Sequence, residues 1–339
     1  MTGETYLSVA DFDAALANLS APDAAATLAA RDRQDQLTKP PGSLGRLEDV
    51  AVFFAGWQGR ERPRIDRGRA AIFAGNHGVV AHGVSAFPAA VTAQMVANFA
   101  AGGAAINQLA KAAGLELVVV PLDLDRPTAD FTAEAAMSEA ECLAALNAGA
   151  AVVEPGLYLL VVGEMGIGNT TAAAALAAIS FGGEAALWVG PGTGVDTAGI
   201  ARKVDVVERG LELHRDTAST AFERLRRVGG REIAAIAGAV LRARELRVPV
   251  LLDGFITCAA IAPLAADSPG ITDHCLAGHC SAEPGHERLL GHLGLEPLLR
   301  LNMRLGEGSG AAVAANLLRS ALAAHDSMAT FAEAGVSGA

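Results

Sequence analysis

From Arg69 onward the chain alternates short apolar runs with helical stretches, and that alternation leaves few folds open. The runs are AAIFAG from Ala70, ELVVVPL around Leu117, LYLLVVG around Leu159, ALWVG around Val189 and PVLLDG around Leu251. Each closes on Gly or Asp before a helical pattern begins. Apolar strands of this kind have no polar face to offer water, so helices must cover both sides, and strands joined through helices run parallel. The expected fold is α/β, a doubly wound, Rossmann-like parallel sheet flanked by helices. Ligands of such sheets sit at the carboxyl ends of the strands.

The first sixty residues read differently. Helices are expected over residues 11–19 and 23–37, and again after Pro40-Pro41-Gly42-Ser43, with Ser43 as the N-cap of the third. With 339 residues, 51% of them hydrophobic, the chain can close one large core or a core plus a smaller lobe. The expected division is a large catalytic domain over residues 60–280 and a smaller helical domain from residues 1–59 and 281–339, which contributes a late glycine loop. Residues 329–339 are expected to fray.

Charge removes several classes of function. Against 26 basic residues stand 37 acidic ones, a formal charge of −11, so no basic surface exists to bind nucleic acid through its phosphates. The start carries Glu4, Asp11 and Asp13 rather than a basic segment followed by an apolar one, which predicts a cytoplasmic protein without a secretory signal. Residues 165–183 are uncharged and long enough to raise the question of a membrane span. Gly166, Gly168, Asn169, Thr170 and Thr171 break or polarise the start of that stretch, so it reads as a loop and a buried helix. Cys142, Cys258, Cys275 and Cys280 read as isolated thiols rather than a disulfide framework.

Three glycine-rich loops carry the chemistry. GEMGIGNTT (163–171) lies between an apolar strand and an Ala-rich helix, GPGTGVD (190–196) repeats the arrangement, and RLGEGSGAA (304–312) precedes the last long helix. Glycines let successive N–H groups converge, and the following helix adds the positive end of its dipole, which suits a phosphate. Three such loops imply a small phosphorylated substrate held mainly by backbone. Asn76, His77 and Gly78 follow the first strand, and Ser85 and Gln94 come next with Phe87 and Met95 beside them. Apolar surface with two hydrogen-bonding groups suits a flat heteroaromatic ring. A capped turn and an ordinary amphipathic helix would give the same pattern.

Glu307, exposed by its flanking glycines, reads either as a general base or as an acid that complements a helix dipole. Glu164 shares that ambiguity. A carboxylate beside a phosphate loop repels its ligand unless it turns away, toward a ring N–H, a sugar hydroxyl or a cation. Lys203 is either a point charge for the phosphate or a solvated surface lysine. His274, Cys275, His279, Cys280 and His286 offer soft ligands for zinc. Their spacing matches no paired C-x-x-C arrangement, and Pro284-Gly285 reads as a turn opening a helix, so a metal site is not expected and Ser281 or His286 is left as a substrate contact. The first loop lacks the lysine of a triphosphate-binding loop, and its glycines do not give G-x-G-x-x-G. Asp123 and Asp125 end a strand and give only a weak magnesium signal.

Taken in order, LTKPPGSLGRLE (37–48), GNHGVVAHGVSAFPAAVTAQMV, GEMGIGNTT, GPGTGVD, LLDGFIT (251–257), SAEPGH and LGLEPLLRLNMRLGEGSGAA resemble the nicotinate-nucleotide:dimethylbenzimidazole phosphoribosyltransferases over nearly the whole chain. The resemblance implies transfer of ribose 5-phosphate from nicotinate mononucleotide to 5,6-dimethylbenzimidazole, an isologous homodimer and small-molecule substrates. It implies Glu307 as the base, Glu164 as a second carboxylate, and Ser85, Gln94, Met165 and Leu305 around the aromatic base. Gly166, Gly168, Asn169, Thr170, Gly192, Thr193, Gly194, Lys203, Asp253, Gly254 and Ser281 fall on the phosphate and ribose side. Asn76 departs from the Asp of many relatives before His-Gly. No cofactor is implied, because nicotinate leaves a pyridinium linkage as a neutral ring. The alternatives are a related N-glycosidic transferase or hydrolase acting on another purine-like base, and a nucleotide-binding protein without catalysis.

Overall fold

In the computed structural model, which describes residues 5–337, six strands form one wholly parallel sheet. They are β1 (Gly68–Ala74), β2 (Leu115–Pro121), β3 (Leu159–Met165), β4 (Val250–Leu252), β5 (Cys275–His279) and β6 (Pro297–Leu299), in the spatial order β2-β1-β3-β4-β5-β6. The order reverses between β1 and β3. In a doubly wound sheet that reversal opens a crevice beyond the carboxyl ends of the two strands, because their connections leave in opposite directions.

Alternation along the central strands feeds two separate cores. Ala71 and Phe73 of β1, with Leu160 and Val162 of β3, face one core, while Ala70, Ile72, Leu159 and Val161 face the other. The first core is closed by α1 (Val9–Ala17) and by α6 (Glu139–Ala150), α7 (Asn169–Phe181), α8 (Thr197–His214), α9 (Ala221–Val228), α10 (Arg231–Glu245), α11 (Phe255–Asp267) and α12 (Pro284–Leu293). The second is closed by α3 (Arg46–Gln58), α4 (Ala90–Ala101), α5 (Ala105–Ala112) and α13 (Ser309–Ser327), with α2 (Ala24–Gln36) packed on α3. No helix among the described residues is long and apolar enough to cross a membrane.

The structure departs from the sequence expectations at several places. ALWVG is not a strand: residues 185–187 form a short 3₁₀ turn, and Trp188 is a buried plug whose indole N–H donates to Gly182 O at 2.9 Å. The sheet position beside β3 belongs to β4, so GPGTGVD follows a turn instead of a strand. Strands β5 and β6 went unread, β5 because Gly278 and its histidines interrupt its apolar pattern, β6 because three residues give no period. Ser43 does not cap α3, which begins at Arg46 after Gly45; Glu48 reaches back instead to accept from Leu44 N and to pair with Lys39. The tail is pinned through residue 334: Thr38 N donates to Ala329 O, Leu37 bridges Thr330, and Thr330 caps α14 (Phe331–Ala334). Residues 338–339 of the tail, and Glu4 at the start, lie outside the described residues. The first two helices arise where expected, capped by Ser8 and Asp23.

Helices α6 and α10 approach closely enough that their glycines are obligatory. A Cβ on Gly149 would lie 1.7 Å from Ala235 O, and one on Gly238 would lie 2.0 Å from Leu146 O. Overpacking of this kind costs roughly 1–3 kcal/mol or more. Gly238→Ala is therefore expected to lower unfolding stability by about 3 kcal/mol in urea titrations, while the fraction still folded keeps its turnover, since the crossing lies away from the crevice.

Candidate active site

A cavity of about 270 Å³ opens beside the carboxyl ends of β3, β4 and β5. Its floor is β3 running out into the first glycine loop, with Glu164, Met165, Gly166 and Ile167, and the N-terminus of α7 adds Asn169 and Thr170. That helix end brings the positive end of its dipole to the cavity, although Asn169 N and Thr171 N already donate to Gly166 O and Gly168 O. Gly192 and Thr193 of the second loop form one wall, Gly254–Thr257 the start of α11 and a second, and His279, Ser281 and Glu283 a third. Arg304, Leu305 and Gly306 close it from the late loop. Phe87 and Leu305, each at least half exposed, form an apolar rim.

Glu164 and Glu283 are the carboxylates that line this cavity. Glu164 is 7% exposed, accepts a hydrogen bond from Asn169 Nδ2, and burial pushes its pKa up to about 8, with Asp253, Glu232 and Glu307 adding repulsion against the Asn169 bond. Gly306 lies over it, since a Cβ there would come 2.4 Å from Glu164 Oε1. Glu307 is next in the chain, 5% exposed and outside the cavity lining, and its Oε2 has no partner. Burial raises its pKa, the Ile106 N–H at the start of α5 works against the rise, and Asp253 adds to it. Residues 306–308 all have left-handed backbone, φ 81°, 62° and 75°, a conformation that costs a non-glycine residue such as Glu307 roughly 1–2 kcal/mol.

The other expected residues divide by position. Lys203 is not a surface lysine: it is 1% exposed, its Nζ donates to Thr170 Oγ1 at 3.0 Å and to Gly190 O at 3.1 Å, and burial brings its pKa down to about 8. It reaches the second loop from beneath, so that a Cβ on Gly192 would stand 2.8 Å from Nζ. Gly168 caps α7 at φ 92° and Gly194 turns the second loop at φ 108°, neither lining the cavity. Asp253 is 1% exposed, and its two oxygens accept from Gly308 N and Ala311 N at 3.1 and 2.9 Å. Ser85 stands at the edge, its Oγ 3.5 Å from Thr193 Oγ1 and accepting from Phe87 N, while Gln94 is exposed on α4 and outside the lining. Asn76 donates to Leu124 O and accepts from Thr92 Oγ1, which in turn accepts from Ile167 N; this thread ties the ends of β1 and β3 across the switch.

The histidine and cysteine cluster is dispersed into other work. His274 Nε2 meets Val240 O, and His286 Nδ1 accepts from Ser281 N at 2.9 Å, which fixes Ser281 at the cavity wall. Burial drives both rings down to about 3 and keeps them neutral. Among the described residues, no group of three or more His, Cys, Asp or Glu side chains is placed to hold a metal ion. Asp123 is engaged by Arg126 at 2.7 Å on the surface. Sequence reasoning missed Glu283, whose Oε1 accepts from Gly192 N at 3.0 Å and whose pKa burial raises. It also missed Arg304 and weighed His279 only as a metal ligand. The SAEPGH and RLGEGSG motifs contained all the signal available, since the partner loop lies about ninety residues away. Beneath the floor, the Glu232 carboxylate meets His77 Nε2 at 2.6 Å, both buried, with Gly75, Gly166 and Gly230 making room for them.

Comparison with known proteins converges on one group. A family model described as a phosphoribosyltransferase matches residues 19–336. The chain is 73% identical over 331 residues to the nicotinate-nucleotide–dimethylbenzimidazole phosphoribosyltransferase of Novosphingobium aromaticivorans, spanning 98% of each chain. The enzyme of the same name from Ruegeria pomeroyi is 60% identical over 97% of each. Among solved structures, CobT from Thermus thermophilus superposes with a TM-score of 0.86 at 44% identity, covering 93% of this chain and all of that one. By sequence along almost its entire length and by backbone, the chain belongs to the nicotinate-nucleotide–dimethylbenzimidazole phosphoribosyltransferase family.

Proposed function

We propose that this enzyme transfers ribose 5-phosphate from nicotinate mononucleotide to 5,6-dimethylbenzimidazole, giving α-ribazole 5′-phosphate and nicotinate. The observation that carries the reading is the pairing of Glu164 and Glu307 across Gly306, beside a cavity whose floor is the first glycine loop and one of whose walls is the second. The phosphate lies toward Thr170, Thr193 and Lys203, near the α7 N-terminus. Because Gly192 N is already held by Glu283, the anion depends on Lys203, Arg304 and hydroxyls more than on backbone alone. Gly254 and Ser281 face the ribose, and Met165, Phe87 and Leu305 sandwich the flat acceptor, with Ser85 and Gln94 at its edge.

In the reaction, one ring nitrogen of the acceptor attacks the anomeric carbon opposite the leaving ring, so a β linkage becomes α. The electron pair of the breaking C–N bond returns to the pyridinium nitrogen, and nicotinate departs needing no acid. Glu307 takes the N–H proton from the acceptor's other nitrogen. A carboxyl raised by burial is a stronger base than a solvated one, and holding two rings on opposite sides of one sugar supplies orientation. The same reading includes a cytoplasmic homodimer and a division into a large domain at 60–280 with a smaller helical one. A second assignment is favoured by one observation: Glu164 lines the cavity, where burial pushes its carboxyl up to about 8, so it is the carboxylate to receive the proton if Glu307 stays on the α5 N-terminus.

Glu307→Gln is expected to lower kcat by roughly 10²–10⁴-fold with nucleotide binding retained, measured by nicotinate release and by titration calorimetry; near-normal turnover removes Glu307 from the mechanism and leaves Glu164 as the base. Lys203→Ala is expected to weaken nucleotide binding by about tenfold or more and to leave benzimidazole affinity unchanged; an effect confined to the benzimidazole contradicts the phosphate assignment. The raised Glu164 carboxyl binds its proton more tightly folded than unfolded, so its contribution is full below about pH 4.5 and is lost as pH rises through about 8. Glu164→Gln should therefore gain stability relative to the parent between about pH 5 and 8, by a few kcal/mol at most. Parallel denaturant curves at the two pH values read this directly, and equal offsets at both would contradict it.

A further inference from the structure

Helix α13 begins without a cap of its own. Its N-cap is Gly308 at φ 75°, with no side chain to accept the first N–H groups. Open helix N-termini require an acceptor, and buried ones cannot use water. The acceptor comes from 55 residues earlier in the chain. Asp253, the first residue after β4, places Oδ2 on Gly308 N at 3.1 Å and Oδ1 on Ala311 N at 2.9 Å. The helix start is wedged against the sheet by three glycines: a Cβ on Gly163 would lie 2.4 Å from Gly308 N, one on Gly278 2.7 Å from Ala311 Cα, and one on Gly310 2.2 Å from His279 Cδ2.

We propose that Asp253 is a positioning residue, whose carboxylate docks the start of α13 and thereby fixes where Glu307, one residue before the cap, presents its own. It is not a ligand of the ribose or phosphate, since both oxygens are engaged and it is 1% exposed. The inference rests on the assignment of Glu307 as the base. The left-handed run at residues 306–308 does not hold itself, because Glu307 is strained by that backbone; the double hydrogen bond from the sheet over-determines it. Asp253 also acts by charge. It faces Glu307 and Glu164, raising both, and its neighbours are His279 Nε2 at 3.5 Å and Cys258; Glu164 in turn faces Glu232 and Asn169, and Glu307 faces the Ile106 N–H.

The experiment compares Asp253→Asn, Asp253→Glu and Glu307→Gln by steady-state kinetics across about pH 5.5–9.5, with nicotinate mononucleotide and 5,6-dimethylbenzimidazole as substrates and circular dichroism as the check on folding. Asp253→Asn should lower kcat by about a hundredfold, the scale of a small misplacement of a reacting group, and leave the nucleotide KM within about threefold. It should also move the acid limb of kcat to lower pH, because a neutral neighbour no longer raises the base. Asp253→Glu keeps the charge but not the geometry, so kcat should fall while the acid limb stays in place; this variant carries the test if the asparagine one does not fold. A nucleotide KM raised about tenfold with kcat unchanged overturns the proposal in favour of a ligand role, and normal kinetics in both variants overturns it outright. Full activity in Glu307→Gln, with Asp253→Asn still slow, would instead sink the base assignment and leave the docking role standing.

Discussion

The close approach of two backbones, that of Glu307–Gly308 and that of Gly163 in β3, is the contact around which the site is arranged. Gly163 occupies a central strand, where glycine weakens packing and is ordinarily avoided. Its missing side chain lets the start of α13 lie directly on the sheet, and from there Gly306 covers Glu164. One absent methyl therefore brings together a residue from β3 and a residue from the last glycine loop. The cavity opens at the carboxyl ends of β3, β4 and β5, on the β3 side of the switch, and this contact sets Gly306 against Glu164 at its edge.

Charge is distributed against the expectation of a simple anion pocket. Glu164, Glu232, Asp253, Glu283 and Glu307 all gather around the cavity proposed to take a phosphorylated substrate, with Lys203 and Arg304 as the nearby cations. The acids are kept from opposing the ligand by being used: Glu232 by His77, Asp253 by the helix start, and Glu283 by Gly192 N. Lys203 forms no ion pair among the described residues and leans on a hydroxyl and a carbonyl, which leaves its charge available to the cavity. Burying it costs solvation, visible in its lowered pKa, and a bound phosphate would offset that cost.

The parallel α/β class was legible because alternation of apolar runs with helical stretches is a long-range signal. Strands β1 to β4 could be found this way, and β5 and β6 could not, since five residues holding Gly278 and three residues holding Pro297 give no period. ALWVG misled for the opposite reason: its composition suits a strand, but the Trp188 side chain is needed as a plug beside α7. At the site, the loops announced themselves through glycine, and Lys203 does fold back onto the second loop, as its place in the following helix allowed. What stayed hidden were partnerships made across the sheet. Nothing near Asp253 in the chain reveals that it caps a helix at residue 309, and nothing near Glu283 reveals Gly192. The smaller errors at Ser43 and at the tail have the same origin, because Glu48 and the Leu37–Thr330 bridge act through contacts that local propensity does not report.

The wedged glycines also divide the site by how freely it can be altered. Gly163, Gly278, Gly306 and Gly310 abut backbone or a buried side chain, so any replacement there shifts the start of α13 or the loop before it, which carries Glu307. Phe87 and Leu305, by contrast, stand at the rim with half their surface in solvent, where a change of shape crowds far less. With the acceptor seated between Phe87 and Leu305 as proposed, a library built to accept bulkier or differently shaped rings has its productive diversity at those two rim positions, and its dead clones at the four glycines.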